Sequence, residues 1–199
     1  LVVRYYMVHE MPFSSDGTFT YELLIDRVNT DLANILGNLV NRTISMSKKY
    51  FDGEVLAPHE LNDIDRDLID VVMNAPKLME EKMSELKVSE AIDCVFDIFK
   101  RCNKYIDETT PWILAKDSGN RDRLATVMYN LLESIRHGAV LLQCILPDTA
   151  NKIFKQLNTE NRYYDSLNSF DGLDIGIILN DPEVLFARID KETILEELK

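Results

Sequence analysis

Apolar residues recur along this 199-residue chain at the three- and four-residue steps of an α-helix. Between about residues 20 and 50, Leu24, Val28, Leu32, Ile35 and Leu39 form one stripe. That stripe predicts a long amphipathic helix. "FDGEVLAP" breaks it. A second helix is expected to begin near Pro58, a residue tolerated in a first turn, with Leu61, Ile64, Leu68, Val72 and Ala75 on its apolar face. Pro76 is expected to kink or end it, and Leu78, Met79 and Met83 to continue it. Ser89 should cap a third helix carrying Ala91, Val95, Ile98, Cys102 and Tyr105, which "DETTPW" interrupts. A fourth, roughly 120–146, carries Leu124, Met128, Leu131, Ile135, Ala139 and Leu142, and "DTANKIFKQL" makes a shorter fifth. The chain is then looser to about residue 181 and closes with "PEVLFARID" and the charged "KETILEELK". The first residues, to about Gly17, read as strand-like or irregular and end in an "SSDG" turn. The expected fold is all-α: an antiparallel helix bundle with a short irregular N-terminal segment.

Composition narrows the classes. Hydrophobic residues make up 46% of the chain, enough for a real core, and no apolar run approaches the ~20 residues of a membrane span. The start, "LVVRYYMVHEMPF", lacks the basic opening and apolar centre of a signal peptide. It does not begin with Met and reads as an excerpt from a longer protein. The three cysteines, Cys94, Cys102 and Cys144, are odd in number and widely spaced. That argues against a disulfide framework or a thiolate zinc site and for apolar fillers in a reducing cytoplasm. His9, His59 and His137 lack metal-ligand spacing. There is no phosphate-binding glycine loop and no nucleophile elbow. Asp63, Asp65 and Asp67 are expected on a solvated helix face. The chain thus shows no catalytic residue, cofactor site or metal site.

The net charge is −12. It counts against a nonspecific nucleic-acid binder, yet leaves room for an RNA binder that uses a few directed contacts to unpaired bases. One stretch asks for such a role. "NTDLANILGNLVNR" places Asn34, Asn38, Asn41 and Arg42 on one stripe beside the apolar face, at 100° per residue. Asparagine is a mediocre helix former, so these side chains serve something other than helix stability. Either they bond neighbouring loops and fix packing, or they form a recognition stripe with directional donors and acceptors. Gly37, costly in mid-helix, marks the expected close approach of another backbone. The second stretch is "NKYIDETTPWILAKD". Its Trp112 either anchors a loop in the core or presents a stacking platform for an unpaired base.

Taken together these stretches resemble methionyl-tRNA synthetase, a class I aminoacyl-tRNA synthetase. "VRYYMVHEMPFSSDGTFT" resembles the segment that joins that family's catalytic domain to its helical domain. "NTDLANILGNLVNR" followed by "KYFDG" resembles its first long anticodon-domain helix. "NKYIDETTPWILAKD" resembles its Pro-Trp loop, and "LFARID" its "LFPRI" ending, with Ala187 in place of the usual proline. The resemblance covers essentially the whole chain. The helix alone would be shared with the valine, isoleucine and leucine enzymes, whereas the Pro-Trp loop together with Asn38 and Arg42 is more specific to methionine.

The resemblance implies that residues 1–19 end the connecting, stem-contact segment and that 20–199 form the anticodon-binding domain. It implies that Asn38 and Arg42 bond the edges of anticodon bases, with Asn34 on the same surface. Trp112 would stack on the first anticodon base, with Pro111 setting its loop, and Asp107 and Asn103 would shape that loop or touch RNA. The partner implied is methionine tRNA, initiator and elongator, read at its CAU anticodon, alongside the enzyme's own catalytic domain; no membrane and no DNA are expected. ATP, and commonly zinc, belong to the catalytic part upstream. The chain itself is expected to be non-catalytic, and "KETILEELK" could lead into a further tRNA-binding module. Lys48, Lys49, Lys100, Arg101 and Lys104 are candidate phosphate contacts, with none singled out. Two competing readings remain: the equivalent domain of another class I synthetase, and an acidic helical scaffold that binds protein.

Overall fold

The computed structural model describes residues 2–11 and 17–197, so most of the expected "SSDG" turn, residues 14–16, lies outside the described residues. The fold is the expected helix bundle. α1 (Val2–Glu10) is followed by one continuous helical rod in three parts: α2 (Tyr21–Arg27), a π-helical segment (Val28–Gly37) and α3 (Asn38–Phe51). α4 (Asp63–Ser84) and α5 (Val88–Thr109) form an antiparallel hairpin with the most extensive helix-to-helix contact in the molecule. The short α6 (Pro111–Leu114) leads into α7 (Arg121–Leu142), against which α8 (Pro147–Leu157) packs. The chain then wraps back over the bundle to α9 (Lys191–Glu197).

The helical stripes bury as their spacing dictates. Ala91, Val95, Ile98, Cys102 and Tyr105 on α5 are completely buried. On α4, Leu68, Val72, Ala75 and Met79 face inward. Each large apolar side chain so removed from water contributes roughly 1.5–3 kcal/mol. α7 is the central element: every residue from Leu124 to Leu142 is buried. Burial pushes the Cys102 thiol up to about 12, so it stays a protonated, apolar filler.

Several expectations are corrected. The N-terminal segment is not irregular over Val2–Glu10 but helical. Its inward residues are Tyr5, Tyr6 and His9, a polar-tipped set that does not read as an apolar stripe. Tyr5 packs on Phe96 and donates to the buried Asp31 carboxylate at 2.9 Å, and His9 sits between Glu10 and Asp93. The second helix starts not at Pro58 but at Asp63, where Asn62 and Asp65 form a reciprocal capping box. Pro76 lies inside α4 and does not end it. Ile64, Leu78 and Met83 are exposed, not core. α5 begins at Val88, with Lys87 rather than Ser89 at its N-cap.

Asp65 is the sharpest correction. It is completely buried, unlike its neighbours Asp63 and Asp67. Its carboxylate accepts a bidentate pair from Arg123 (2.6 and 2.9 Å), the Tyr105 hydroxyl, and the Asn62 N–H at 2.8 Å. Burial would raise its pKa, but the guanidinium, the hydroxyl and the N–H together hold it below the usual carboxylate range. The cluster ties α4, α5 and α7 together.

A second buried polar cluster pins the C-terminal wrap. The Arg136 guanidinium donates to Glu133 (2.7 and 2.9 Å), to the Asn161 carbonyl at 3.1 Å and to Ser166 Oγ at 2.7 Å. Glu133 also accepts the Gly172 N–H at 2.8 Å. Gly172 passes so close that a Cβ there would overlap the guanidinium.

Candidate nucleic-acid interface

The interface begins with an unusual helical register. Over Val28–Gly37 the backbone follows an i→i+5 pattern, and the Asn38 N–H still bonds the Ala33 carbonyl. Extended π-helix is rare and tends to occur at functional sites. Three side chains brace this one. Asp31 accepts from Tyr5. The Asn29 amide grips Ile189 twice, donating to its carbonyl at 2.9 Å and accepting its N–H at 2.8 Å. Asn103 on α5 donates to the Ile35 carbonyl at 3.0 Å and to the Phe99 carbonyl at 3.0 Å. Where the segment ends, the Phe186 backbone passes within 3.8 Å of where a Gly37 Cβ would stand, and the Leu32 carbonyl within 3.0 Å. The close approach expected at Gly37 is therefore real, and "LFARID" is the strand of chain that makes it.

With the buried stripe fixed on one side, Asn34, Asn38, Asn41 and Arg42 all face solvent. Asn38 donates to Asn34 Oδ1 at 3.4 Å, a long contact that leaves both amides largely available to a partner. Arg42 Nη2 lies 3.8 Å from Asp107 Oδ1. Both side chains are well exposed, so this pair is weak. It nonetheless places the rod beside the end of α5.

There the chain turns. Thr110 adopts a left-handed conformation (φ 43°), which ends α5 and starts α6 with Pro111 at its first position. Pro111 is buried, while Trp112 is 42% exposed and Ile113 54%. The indole therefore stands on an anchored turn instead of filling the core. A rigid, solvent-facing aromatic beside exposed amides and a guanidinium can stack on one unpaired base while hydrogen bonding to the edges of others.

Of the anticipated site residues, Asn34, Asn38, Arg42, Asp107 and Trp112 are all exposed, and the Arg42–Asp107 contact brings α3 to the end of α5, just before the turn that carries Trp112. Pro111 and Asn103 lie beneath it. Both Asn103 amide hydrogens are committed to backbone carbonyls, so its evident work is bracing the π-helical segment. Four of the five anticipated phosphate contacts carry ion pairs: Lys48 with Asp181 (2.7 Å), Lys100 with Asp97 (2.9 Å), and Arg101 and Lys104 with Glu108 (2.9 and 3.6 Å). Asn29 escaped the sequence reading. Nothing in its surroundings marks it apart from one more asparagine early in the rod. Among the described residues, no three His, Cys, Asp or Glu side chains assemble a metal site, and no helix is long and apolar enough to cross a membrane.

Comparison with known proteins identifies the family. Residues 56–198 match the family described as the anticodon binding domain of methionyl tRNA ligase, and residues 2–44 match the class I (M) tRNA synthetases. The methionine–tRNA ligase of Clostridium acetobutylicum is 50% identical over 196 residues, covering 98% of this chain and 30% of the relative. That of Clostridium tetani is 47% identical over 98% of this chain and 31% of its own length. The free-state crystal structure of Mycobacterium tuberculosis methionyl-tRNA synthetase superposes with a TM-score of 0.89 at 31% identity, over 95% of this chain and 38% of that one. The chain thus spans about 30% of the length of the curated relatives. Since one family model covers well over half of it, the chain belongs to the anticodon-binding domains of the methionyl-tRNA ligases.

Proposed function

We propose that this chain reads the CAU anticodon of methionine tRNA, initiator and elongator alike, for an enzyme that joins methionine to that tRNA using ATP. The observation that carries the reading is the exposed indole of Trp112 on the turn that follows α5, whose end meets exposed Arg42 through Asp107, with exposed Asn38 one helical turn earlier. A core-packing role would have buried all three. In this assignment Trp112 stacks on the first anticodon base, Asn38 and Arg42 bond base edges, and Asn34 extends that surface. Pro111 and Asn103 hold the scaffold, and Asp107 sets the position of Arg42. Specificity then comes from splayed bases and directed hydrogen bonds, which suits a chain of net charge −12.

The division of labour follows the same reading. Residues 1–19 end the connecting segment and 20–199 form the anticodon-reading bundle. Methionine activation, with its ATP and any zinc, is assigned to the catalytic part of the enzyme. The setting is cytoplasmic, in keeping with three free thiols.

The test is binding to two RNA hairpins at low, stated salt, one with CAU in its loop and one with the first base changed. A preference of ~1–3 kcal/mol for CAU is expected. Equal affinity for both overturns the reading. ATP–pyrophosphate exchange by the chain should stay at background, and robust exchange would contradict the assigned division.

A further inference from the structure

In a chain of net charge −12, unpaired cations are informative, because most lysines and arginines find a carboxylate. Lys48, Lys100, Arg101 and Lys104 all do so. Lys49, Lys116 and Arg121 do not: among the described residues none has a carboxylate oxygen within 4.0 Å of its charged nitrogens. All three are exposed, and all three line one depression of about 480 Å³ between the end of α3 and the start of α7. Its one acidic lining residue is Asp117, whose Oδ1 accepts the Gly119 N–H at 2.9 Å.

The cations are placed without being neutralised. The Arg121 guanidinium lies over the Phe51 ring, 5.0 Å from its centroid, and the Lys49 ammonium is 5.7 Å from that of Tyr50. A ring face attracts a cation but takes up no N–H at the guanidinium edge, so the donors stay free for a planar or tetrahedral oxyanion.

Position argues for the source of that anion. At 100° and 1.5 Å per residue, Asn38, Arg42, Ser45 and Lys49 fall within an arc of about 60°, and Lys49 lies ~10 Å along α3 from Arg42. Each of the four is exposed. Lys116 follows four residues after Trp112. The depression is therefore the continuation, on both of its walls, of the surface assigned to base reading. We propose that Lys49, Lys116 and Arg121 form a phosphodiester-binding site that grips the RNA backbone beside the bases read by Asn38, Arg42 and Trp112. This rests on the anticodon reading only for the identity of the RNA. The site supplies affinity without sequence preference, while the stripe supplies the preference.

The experiment measures the affinity of the chain for the CAU hairpin and the changed-base hairpin over a series of salt concentrations. It compares the native chain with Lys49→Ala/Lys116→Ala/Arg121→Ala, whose fold is checked by circular dichroism. The triple variant should bind both hairpins more weakly by the same factor, roughly three- to tenfold at low salt, with the dependence of log K on log salt flattened by about one or more. Arg121→Lys should keep the native slope. An unchanged slope and affinity in the triple variant, with the native chain still preferring CAU, overturns the site and leaves the anticodon reading intact. A loss confined to the CAU hairpin also overturns it. Equal binding of both hairpins by the native chain, weakened in the variant, keeps the site and removes the anticodon reading. Absence of binding to either hairpin removes both. Inorganic phosphate, titrated alone and followed by amide NMR shifts, should not saturate the three residues below the millimolar range. Tight saturation would reassign the site to a free anion.

Discussion

The Asn103 side chain joins two helices by donating to Ile35 O of the π-helical segment and to Phe99 O of its own helix, each at 3.0 Å. Asn103→Ala removes both donors and with them the tie between α5 and the π-helical segment. Stability should fall by about 1–2 kcal/mol, read as a lower urea midpoint at unchanged slope. If instead the midpoint holds while hairpin affinity falls, Asn103 touches RNA directly and its bracing role is wrong.

Asn29 and Ile189 form a two-point bond across 160 residues of sequence. Asn29→Ala should loosen the stretch around Ile189 first. Amide hydrogen exchange there should accelerate while the buried amides of α7 keep their protection. Uniform acceleration across the molecule would show that the wrap is not a separate unit.

Trp112→Ala tests the platform. Since the indole is partly exposed on a short turn, removing it should leave helicity nearly unchanged. Affinity for the CAU hairpin should drop by ~1–3 kcal/mol. Trp112→Phe should recover part of it. Collapse of the helical signal would place Trp112 among the core anchors instead.

The Asp65 carboxylate sets an acid limit. Its folded pKa is depressed, because Arg123, Tyr105 and the Asn62 N–H outweigh the effect of burial. The stabilisation is therefore complete above the unfolded value of about 3.9 and is lost as pH falls through the lower folded value. Glu133, depressed against its own burial by Arg136 and His137, acts in the same direction. Asp65→Asn should flatten the acid limb of a stability–pH curve. At neutral pH it should cost toward the lower end of the ~3–5 kcal/mol typical when a buried pair loses one partner, since Arg123 still reaches water. An unchanged acid limb would mean that other carboxylates govern acid unfolding.

Gly172→Ala places a methyl group where the Arg136 guanidinium lies. The bonds from Arg136 to Asn161 and Ser166 cannot all survive the shift. Early proteolytic cleavage between residues 159 and 175 is expected, together with a lower melting temperature. Native protease resistance would show that the wrap can yield without losing its anchor.

The bundle was readable because helices betray themselves by one strong apolar period, and α5 obeyed it at each anticipated position. The reading failed where burial is polar. Asp65 sits in "DIDRD", which looks like a solvated face, yet the Asn62 and Asp65 pair three residues apart already spelled a capping box. α1 escaped because its inward side chains are two tyrosines and a histidine. The polar stripe was visible as an excess of asparagine and arginine beside a buried face. The cationic depression was not, since Lys49, Lys116 and Arg121 are far apart in sequence and only the fold shows which cations lack acids. The π-helical register was hidden because residues 28–37 satisfy the α-helical pattern almost as well.

That register has a consequence for how this surface tolerates change. A continuous rod transmits rotation, so the number of residues between Val28 and Gly37 fixes the azimuth of everything downstream. Deleting one residue there, with the winding of the rest unchanged, would turn α3 by somewhat less than the roughly 100° of an α-helical residue, because an i→i+5 turn spreads over more residues. Asn38 and Arg42 would swing away from the Trp112 turn while Leu39 and Val40 left the core. The segment behaves as a phase setter. It should accept substitutions that keep Asn29, Asp31 and Gly37 far better than a change in its length that leaves its winding unaltered.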